Sequence, residues 1–190
     1  LPAPFEKVLG QPERGGIWLI KGKEKNGKTW LAVLLAKMLA TIDKVLYVSA
    51  EEGLNKDFRA VCKRADLSHT VKKIHFLDYT EIPDLITVLN RKQSPRVVIL
   101  DNLTVYNVDL KKYGLKKLYD AYPDTTFIML AHIERNEPFG ATARDAQRYA
   151  KLIFNVQGLA ATVSGRCPGG TLIIDEEKAA LYHGQHILTQ

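Results

Sequence analysis

The chain has 190 residues, 46% of them hydrophobic and 25% charged, and its formal net charge is +6 at neutral pH. These totals predict one globular domain with its own core and leave little room for two. The apolar runs are far shorter than the roughly 18 residues that a membrane span needs, so we expect no membrane partner.

The cysteines bear on the cellular compartment of the protein, and the basic residues bear on its partners. Cys62 and Cys167 lack the spacing of a metal site or a redox pair, which indicates reduced thiols and a cytoplasmic location. Positive charge lies mainly before Gly158, because only Arg166 and Lys178 are basic beyond it. This distribution is compatible with a polyanionic partner, or with a solvated basic surface that binds none.

Strand-like and helix-like segments alternate along the first two thirds of the chain. Strands are predicted at 16–22, 44–52, 73–79, 96–102 and 125–133. Helices are predicted at 28–41, 55–65, 82–92 and 110–121. The strands are nearly continuous apolar runs, which are typical of a parallel sheet covered on both faces. We therefore expect an α/β fold with a mostly parallel central sheet flanked by helices.

The pattern changes after His132. A polar stretch at 134–145 leads into a helix that is expected to reach Lys151. Four short segments follow, punctuated by Gly and Pro: KLIFNVQ, LAATVSG, GTLIIDE and KAALYHG. They resemble antiparallel strands joined by hairpins. We expect one domain over 1–190, with a core at about 16–157 and a C-terminal antiparallel β extension at about 158–184.

The first predicted strand leads into a phosphate-binding loop. GKEKNGKT, residues 22–29, matches the pattern GxxxxGK[ST], with a strand before it and an apolar helix after it. Its backbone N–H groups are expected to bind phosphate, Lys28 the β and γ phosphates, and Thr29 a magnesium ion. The predicted binding residues for ATP with Mg²⁺ are Gly22, Lys23, Glu24, Lys25, Asn26, Gly27, Lys28, Thr29 and Trp30.

The charged residues inside this loop have two interpretations. Backbone groups do the binding, so the side chains of the middle residues can point into solvent. Alternatively, Lys23 or Lys25 adds a contact to phosphate.

Polar residues end the neighbouring predicted strands. Asp101 follows VVIL and is the candidate second ligand of the magnesium ion beside Thr29. VLYVSAEE ends in Glu51 and Glu52, one of which is the candidate base for hydrolysis; the alternative is a carboxylate favoured by a helix N-terminus. His132 ends the strand IMLAHI and is either a sensor of the γ-phosphate or a structural residue. The candidate catalytic residues are Lys28, Glu51, Asp101 and His132.

These segments together resemble the RecA-like family of P-loop ATPases, most of all its RadA-type recombination proteins and DnaB-type helicases. FEKVLGQPERGGIWLIKG resembles the family's entry segment, VLYVSAEE its second strand, VVILDN its Walker B strand and IMLAHI its sensor strand. The resemblance implies a RecA-like P-loop NTPase fold and a catalytic glutamate, which the register places at Glu51.

The resemblance also implies partners. RecA-like proteins have a DNA-contacting loop after the sensor strand, and the residues here that suit single-stranded DNA are Arg135, Phe139, Arg144 and Arg148. The family's late hairpin carries basic residues that act on a neighbouring subunit's nucleotide, and Lys178 is the candidate here. A homo-oligomer, as a ring or a filament, is implied with it.

The leading prediction is thus an enzyme: a DNA-stimulated ATPase for recombination, strand annealing or helicase work. Two alternatives share the phosphate loop. One is a small-molecule or nucleoside kinase, for which Arg135, Arg144 and Arg148 could form a lid. The other is a nucleotide-gated switch with little turnover.

Overall fold

The structure is a computed structural model that describes residues 3–189, and the ends of the expected 1–190 domain lie outside them. The α-helices are α1 (Ala3–Leu9), α2 (Lys28–Leu39), α3 (Lys56–Ala65), α4 (Ile82–Leu89), α5 (Asn107–Tyr113), α6 (Leu115–Ala121), α7 (Ala141–Tyr149) and α8 (Glu176–His183). The strands are β1 (Gly16–Gly22), β2 (Val45–Ser49), β3 (Ile74–Leu77), β4 (Val97–Asp101), β5 (Thr126–Glu134), β6 (Glu137–Pro138), β7 (Ala150–Gln157), β8 (Ala160–Gly165) and β9 (Gly170–Ile173). Two 3-10 turns, Val71–Lys73 and Gln185–Thr189, are the other helical elements among residues 3–189.

The strands form one sheet in the order β3, β2, β4, β5, β1, β7, β8, β9, and β6 pairs with β5 alone. All pairs from β3 to β7 are parallel, whereas β7, β8 and β9 pair antiparallel. The predicted α/β fold with a mostly parallel sheet and an antiparallel C-terminal extension is confirmed.

Two apolar layers cover the sheet, because successive strand residues face opposite sides. Trp18 and Ile20 of β1 pack with α2 on one side, and Ile17 and Leu19 pack with the helices α4 to α7 on the other. The carboxyl ends of the parallel strands therefore meet at one edge, which is where ligands bind in sheets of this kind.

Two local predictions were wrong. The segment KAALYHG lies in α8 and is not a strand: the Asp175 side chain caps that helix by accepting from the Lys178 N–H at 3.1 Å, and Ala179 is buried against Ala160. The helix expected at 110–121 is divided into α5 and α6 at Gly114, which has a φ of +97°.

The length and hydropathy of the helices decide whether any of them could span a membrane. Among residues 3–189, no helix is both long enough and apolar enough to cross a bilayer.

Candidate functional site

The loop between β1 and α2 lies at the carboxyl edge of the sheet. Gly27 precedes α2 with a φ of +100°, and no side chain caps the helix there. The first N–H groups of a helix have no partner inside it, and they favour an anion at the positive end of the helix dipole. This arrangement is compatible with the phosphate site that the sequence predicts.

Lys28 is the first residue of α2, and only 7% of its surface is exposed. Its Nζ donates to the carbonyl of Lys23 at 2.8 Å, so the ammonium group is held over the loop. Burial lowers the pKa of Lys28, and the negative charges of Asp101 and Glu51 oppose that shift. The amine is therefore held where a phosphate group can replace the Lys23 carbonyl as its partner.

Asp101 ends β4 next to the loop. Its Oδ2 accepts hydrogen bonds from the Thr29 hydroxyl at 3.0 Å and from the Tyr47 hydroxyl at 2.8 Å. Burial raises the pKa of Asp101 to about 6, although these two hydrogen bonds act in the opposite direction. Hydroxyl and carboxylate oxygens suit Mg²⁺, which usually takes one or two protein ligands besides phosphates and water. Thr29 and Asp101 fit that requirement.

We expect the Mg²⁺-dependent part of nucleotide affinity to fall as the pH is lowered through about 6, the pKa of Asp101. A protonated carboxyl group is a poor ligand, so metal binding competes with its proton. Calorimetric titrations at several pH values, with and without Mg²⁺, would measure the effect. Phosphate also titrates in this range, so Asp101→Asn serves as the reference that retains only the titration of the nucleotide. Identical pH profiles for both proteins would contradict the assignment.

The same raised pKa has a consequence for folding. In the unfolded chain Asp101 returns to the ordinary carboxyl pKa of 3.8, so folding takes up a proton between that value and about 6. Asp101 therefore favours folding at low pH, and this contribution is lost as the pH rises through about 6.

Glu51 follows β2 and contacts two side chains from neighbouring strands. Its Oε2 accepts from the Asn102 amide, and both of its oxygens lie 3.2 Å from Nε2 of His132. The Asn102 amide is oriented because its Oδ1 accepts from the Thr104 N–H at 2.7 Å. The Nδ2 of Asn102 consequently faces both Glu51 and His132, whose Nε2 lies 2.7 Å away. The carboxylate is thus held against Asn102.

Asn102 and Glu51 contact the same nitrogen of the His132 ring. Nε2 lies 2.7 Å from the Asn102 amide nitrogen and 3.2 Å from each carboxylate oxygen of Glu51, so it can accept from the amide in one tautomer and donate to the carboxylate in the other. The other ring nitrogen, Nδ1, is buried and has no hydrogen-bond partner among the described residues. His132 is therefore held on Asn102 and Glu51.

These residues line a cavity of about 550 Å³, which we call the phosphate-loop cavity. The predicted site residues in its wall are Glu24, Lys25, Gly27, Lys28, Thr29, Trp30, Glu51, Glu52, Asp101, His132 and Lys178. Lys178, the candidate for acting on a neighbouring subunit, thus lines the cavity of its own chain. Gly22 is buried at the end of β1, and Lys23 and Asn26 line an adjacent cleft with Tyr182.

The residues suggested for DNA lie elsewhere. Arg135, Phe139 and Arg144 line a separate open hollow that also contains Glu134 and Glu137. Arg148 pairs with Asp145 at 3.5 Å on the surface of α7. None of the four lines the phosphate-loop cavity.

Sequence reasoning missed several residues that shape the site. Asn102 and Tyr47 bond to Glu51 and Asp101, and Arg64 and Leu159 line the cavity. The position of Asn102 directly after Asp101 was a usable signal, because it places the amide at the same edge of the sheet. No local pattern points to the other three: Tyr47 is one of several apolar residues in β2, and Arg64 and Leu159 reach the site from α3 and from the turn between β7 and β8.

The parallel sheet, the phosphate loop and the paired Thr29 and Asp101 define a protein of the P-loop NTPase class. A family model described as iSTAND, inactive STAND, matches residues 3–139, and the chain belongs to this family. None of the curated proteins searched matches the chain.

The family corrects the predicted identity and activity. The chain is not a RecA-like, RadA-type or DnaB-type protein, although those proteins share the phosphate loop. The predicted ATPase activity is wrong, because the family is one of inactive domains. The predicted roles in DNA recombination, strand annealing and helicase work are wrong for the same reason, and the family gives no support for DNA binding. The single-stranded DNA partner and the homo-oligomer were implied only by the RecA-like resemblance and stay predictions.

Proposed function

We propose that this domain is a nucleotide-gated switch, which binds ATP with Mg²⁺ at the phosphate loop and turns it over little or not at all. The observation that carries the proposal is a complete phosphate loop beside a glutamate whose carboxylate is already held by Asn102. Of the functions considered from sequence, the switch is the one that the family supports.

The loop supports binding through three independent groups. The free N–H groups at the start of α2 favour an anion, Lys28 supplies a buried cation, and Thr29 with Asp101 supplies metal ligands. Hydrogen bonds to charged groups contribute about 1.5–3 kcal/mol each. These three groups do not include the charged side chains in the middle of the loop, of which Glu24 and Lys25 line the cavity.

The contacts of Glu51 support low turnover. A general base must reach the water that attacks the γ-phosphate, at about 2.6–3.2 Å. Here Oε2 accepts from Asn102 and both oxygens lie 3.2 Å from the His132 ring, so side chains use part of the accepting capacity of the carboxylate. A water at the γ-phosphate would have to share this carboxylate with both side chains.

A switch also needs a route from the nucleotide to the surface. Asn26 of the loop accepts from the Gly158 N–H at 2.9 Å through its side chain and from the Leu159 N–H at 3.2 Å through its carbonyl. The Leu159 carbonyl in turn accepts from the N–H groups of Ile174 and Asp175, just before α8. A change in the loop on binding would therefore reach the β7–β8 turn and α8 directly.

The free thiols support a cytoplasmic location for the switch. Cys62 and Cys167 are both unpaired, and reduced thiols are typical of the cytoplasm. Burial raises the pKa of Cys62 to about 11, which disfavours the reactive thiolate.

The proposal is tested by measuring ATP binding, phosphate release and amide hydrogen exchange on the same protein. We expect binding that requires Mg²⁺ for full affinity, phosphate release no faster than in Lys28→Ala, and altered exchange in residues 157–183. The exchange rate of these residues should change because the hydrogen bonds that connect them to Asn26 start in the phosphate loop. Exchange that changes only in the loop itself would contradict the switch, and so would sustained turnover.

A further inference from the structure

Two planar side chains stand at one side of the phosphate-loop cavity. Trp30 follows Thr29 directly in the first turn of α2, and the guanidinium carbon of Arg64 lies 3.9 Å from the centroid of its ring. Both residues line the cavity that contains Lys28 and Thr29. We propose that Arg64, supported from behind by Trp30, is a stacking platform for the base of the bound nucleotide. This inference rests on the proposed function, because it concerns the same ligand.

Trp30, the part of the platform next to the protein, is held in place by a hydrogen bond. The Trp30 indole N–H donates to the carbonyl of Ile174 at 3.3 Å, which holds the ring edge against the chain before α8. Arg64 belongs to the last turn of α3, where a positive charge is favoured by the helix dipole. Trp30 is half-buried, whereas Arg64 is exposed. One face of the guanidinium therefore rests on the indole and the other is open.

The open face suits a nucleobase. Guanidinium planes and aromatic rings both stack on bases, and a guanidinium bound to an aromatic ring keeps a fixed orientation. Val61 and Leu159 add apolar wall to the same cavity, and Asp57 adds a carboxylate that can accept from a base amino group or a ribose hydroxyl. The volume of about 550 Å³ lies within the usual range for ligand pockets of about 300–1,000 Å³.

The stacked pair also has a purely structural alternative, in which Arg64 only fastens α3 to α2. These two roles, and a third in which Arg64 only attracts phosphate by its charge, differ in which variant loses affinity. A stacking platform needs the plane of the guanidinium, so Lys cannot replace Arg. A long-range attraction for phosphate needs only the charge, which Lys retains. A fastening contact affects stability and not the choice of ligand.

The test compares ATP with inorganic tripolyphosphate, which has no base. Calorimetry would give the affinity of each, with Mg²⁺, for the unaltered protein, Arg64→Ala, Arg64→Lys and the control Arg91→Ala. We expect both Arg64 variants to lose roughly 5- to 150-fold in ATP affinity, the loss that corresponds to one base stack. Affinity for tripolyphosphate should be the same in all four proteins.

The outcomes separate this inference from the proposed function. If the unaltered protein binds neither ligand, the proposed function fails and the base platform fails with it. If ATP and tripolyphosphate bind equally well, the domain binds polyphosphate and the platform is refuted. The platform is also refuted if Arg64→Lys behaves like the unaltered protein, or if both variants lose affinity for both ligands equally.

Discussion

Lys28→Ala is expected to lower ATP affinity by about 10- to 150-fold, the effect of losing one charge-assisted hydrogen bond worth about 1.5–3 kcal/mol. Lys28 is 7% exposed and its Nζ already lies 2.8 Å from the Lys23 carbonyl, over the loop where phosphate is expected. Its ammonium group therefore needs little reorganisation to bind the ligand. Calorimetric titration with ATP and Mg²⁺ measures the loss.

The matched control is Lys111→Ala, which removes an exposed lysine from α5 and so makes the same change in net charge. We expect its ATP affinity to stay close to that of the unaltered protein. Equal affinities for Lys28→Ala and the unaltered protein would mean that the loop does not bind phosphate in the way described.

The second large effect is expected from Gly22→Ala. A Cβ at Gly22 would lie 2.4 Å from the backbone oxygen of Val156, and that oxygen belongs to the neighbouring strand β7. Since backbone cannot rotate away as a side chain can, β1 and β7 would have to separate. Overpacking of this kind costs about 1–3 kcal/mol of the free energy of unfolding. The separation of β1 from β7 would also displace the start of the phosphate loop, so nucleotide affinity should fall too.

Urea unfolding followed by circular dichroism would measure the change in stability. Ser164→Ala, at an exposed position in β8, is the control, and surface changes of this type usually stay within about 0.5 kcal/mol. An unchanged midpoint for Gly22→Ala would contradict the close approach of the two strands.

The fold and the phosphate loop could be predicted from sequence because both depend on contiguous residues. Continuous apolar runs indicate buried parallel strands, and GKEKNGKT fixes two glycines, a lysine and a threonine within eight positions. Asp101 and His132 were found as candidates since each directly follows an apolar run. Patterns of this length can be recognised without knowing which distant segments of the chain are neighbours in the fold.

The contacts that distinguish this site depend on neighbouring strands and could not be predicted. Asn102 reaches Glu51 only because β4 lies beside β2, and His132 joins them from β5 on the other side of β4. The same dependence explains the incorrect family. The phosphate loop and the strand-end carboxylates are shared by active and inactive P-loop proteins, so they do not discriminate between them.

The error at α8 has a similar origin. KAALYHG is short, and short apolar runs fit a strand or a helix equally well. The helix is favoured by a cap at Asp175 and by the burial of Ala179 against Ala160, and both depend on how the β extension folds back. Lys178 consequently enters the cavity of its own chain.

The most direct test of the switch is the fate of bound ATP. The protein would be mixed with ATP and Mg²⁺, separated from free nucleotide by rapid gel filtration, and its bound nucleotide identified by ion-exchange chromatography over several hours. We predict stoichiometric ATP that stays a triphosphate, and much less bound nucleotide in Lys28→Ala under the same conditions. Conversion of the bound ATP to ADP, or an absence of nucleotide in the unaltered protein, would contradict the account.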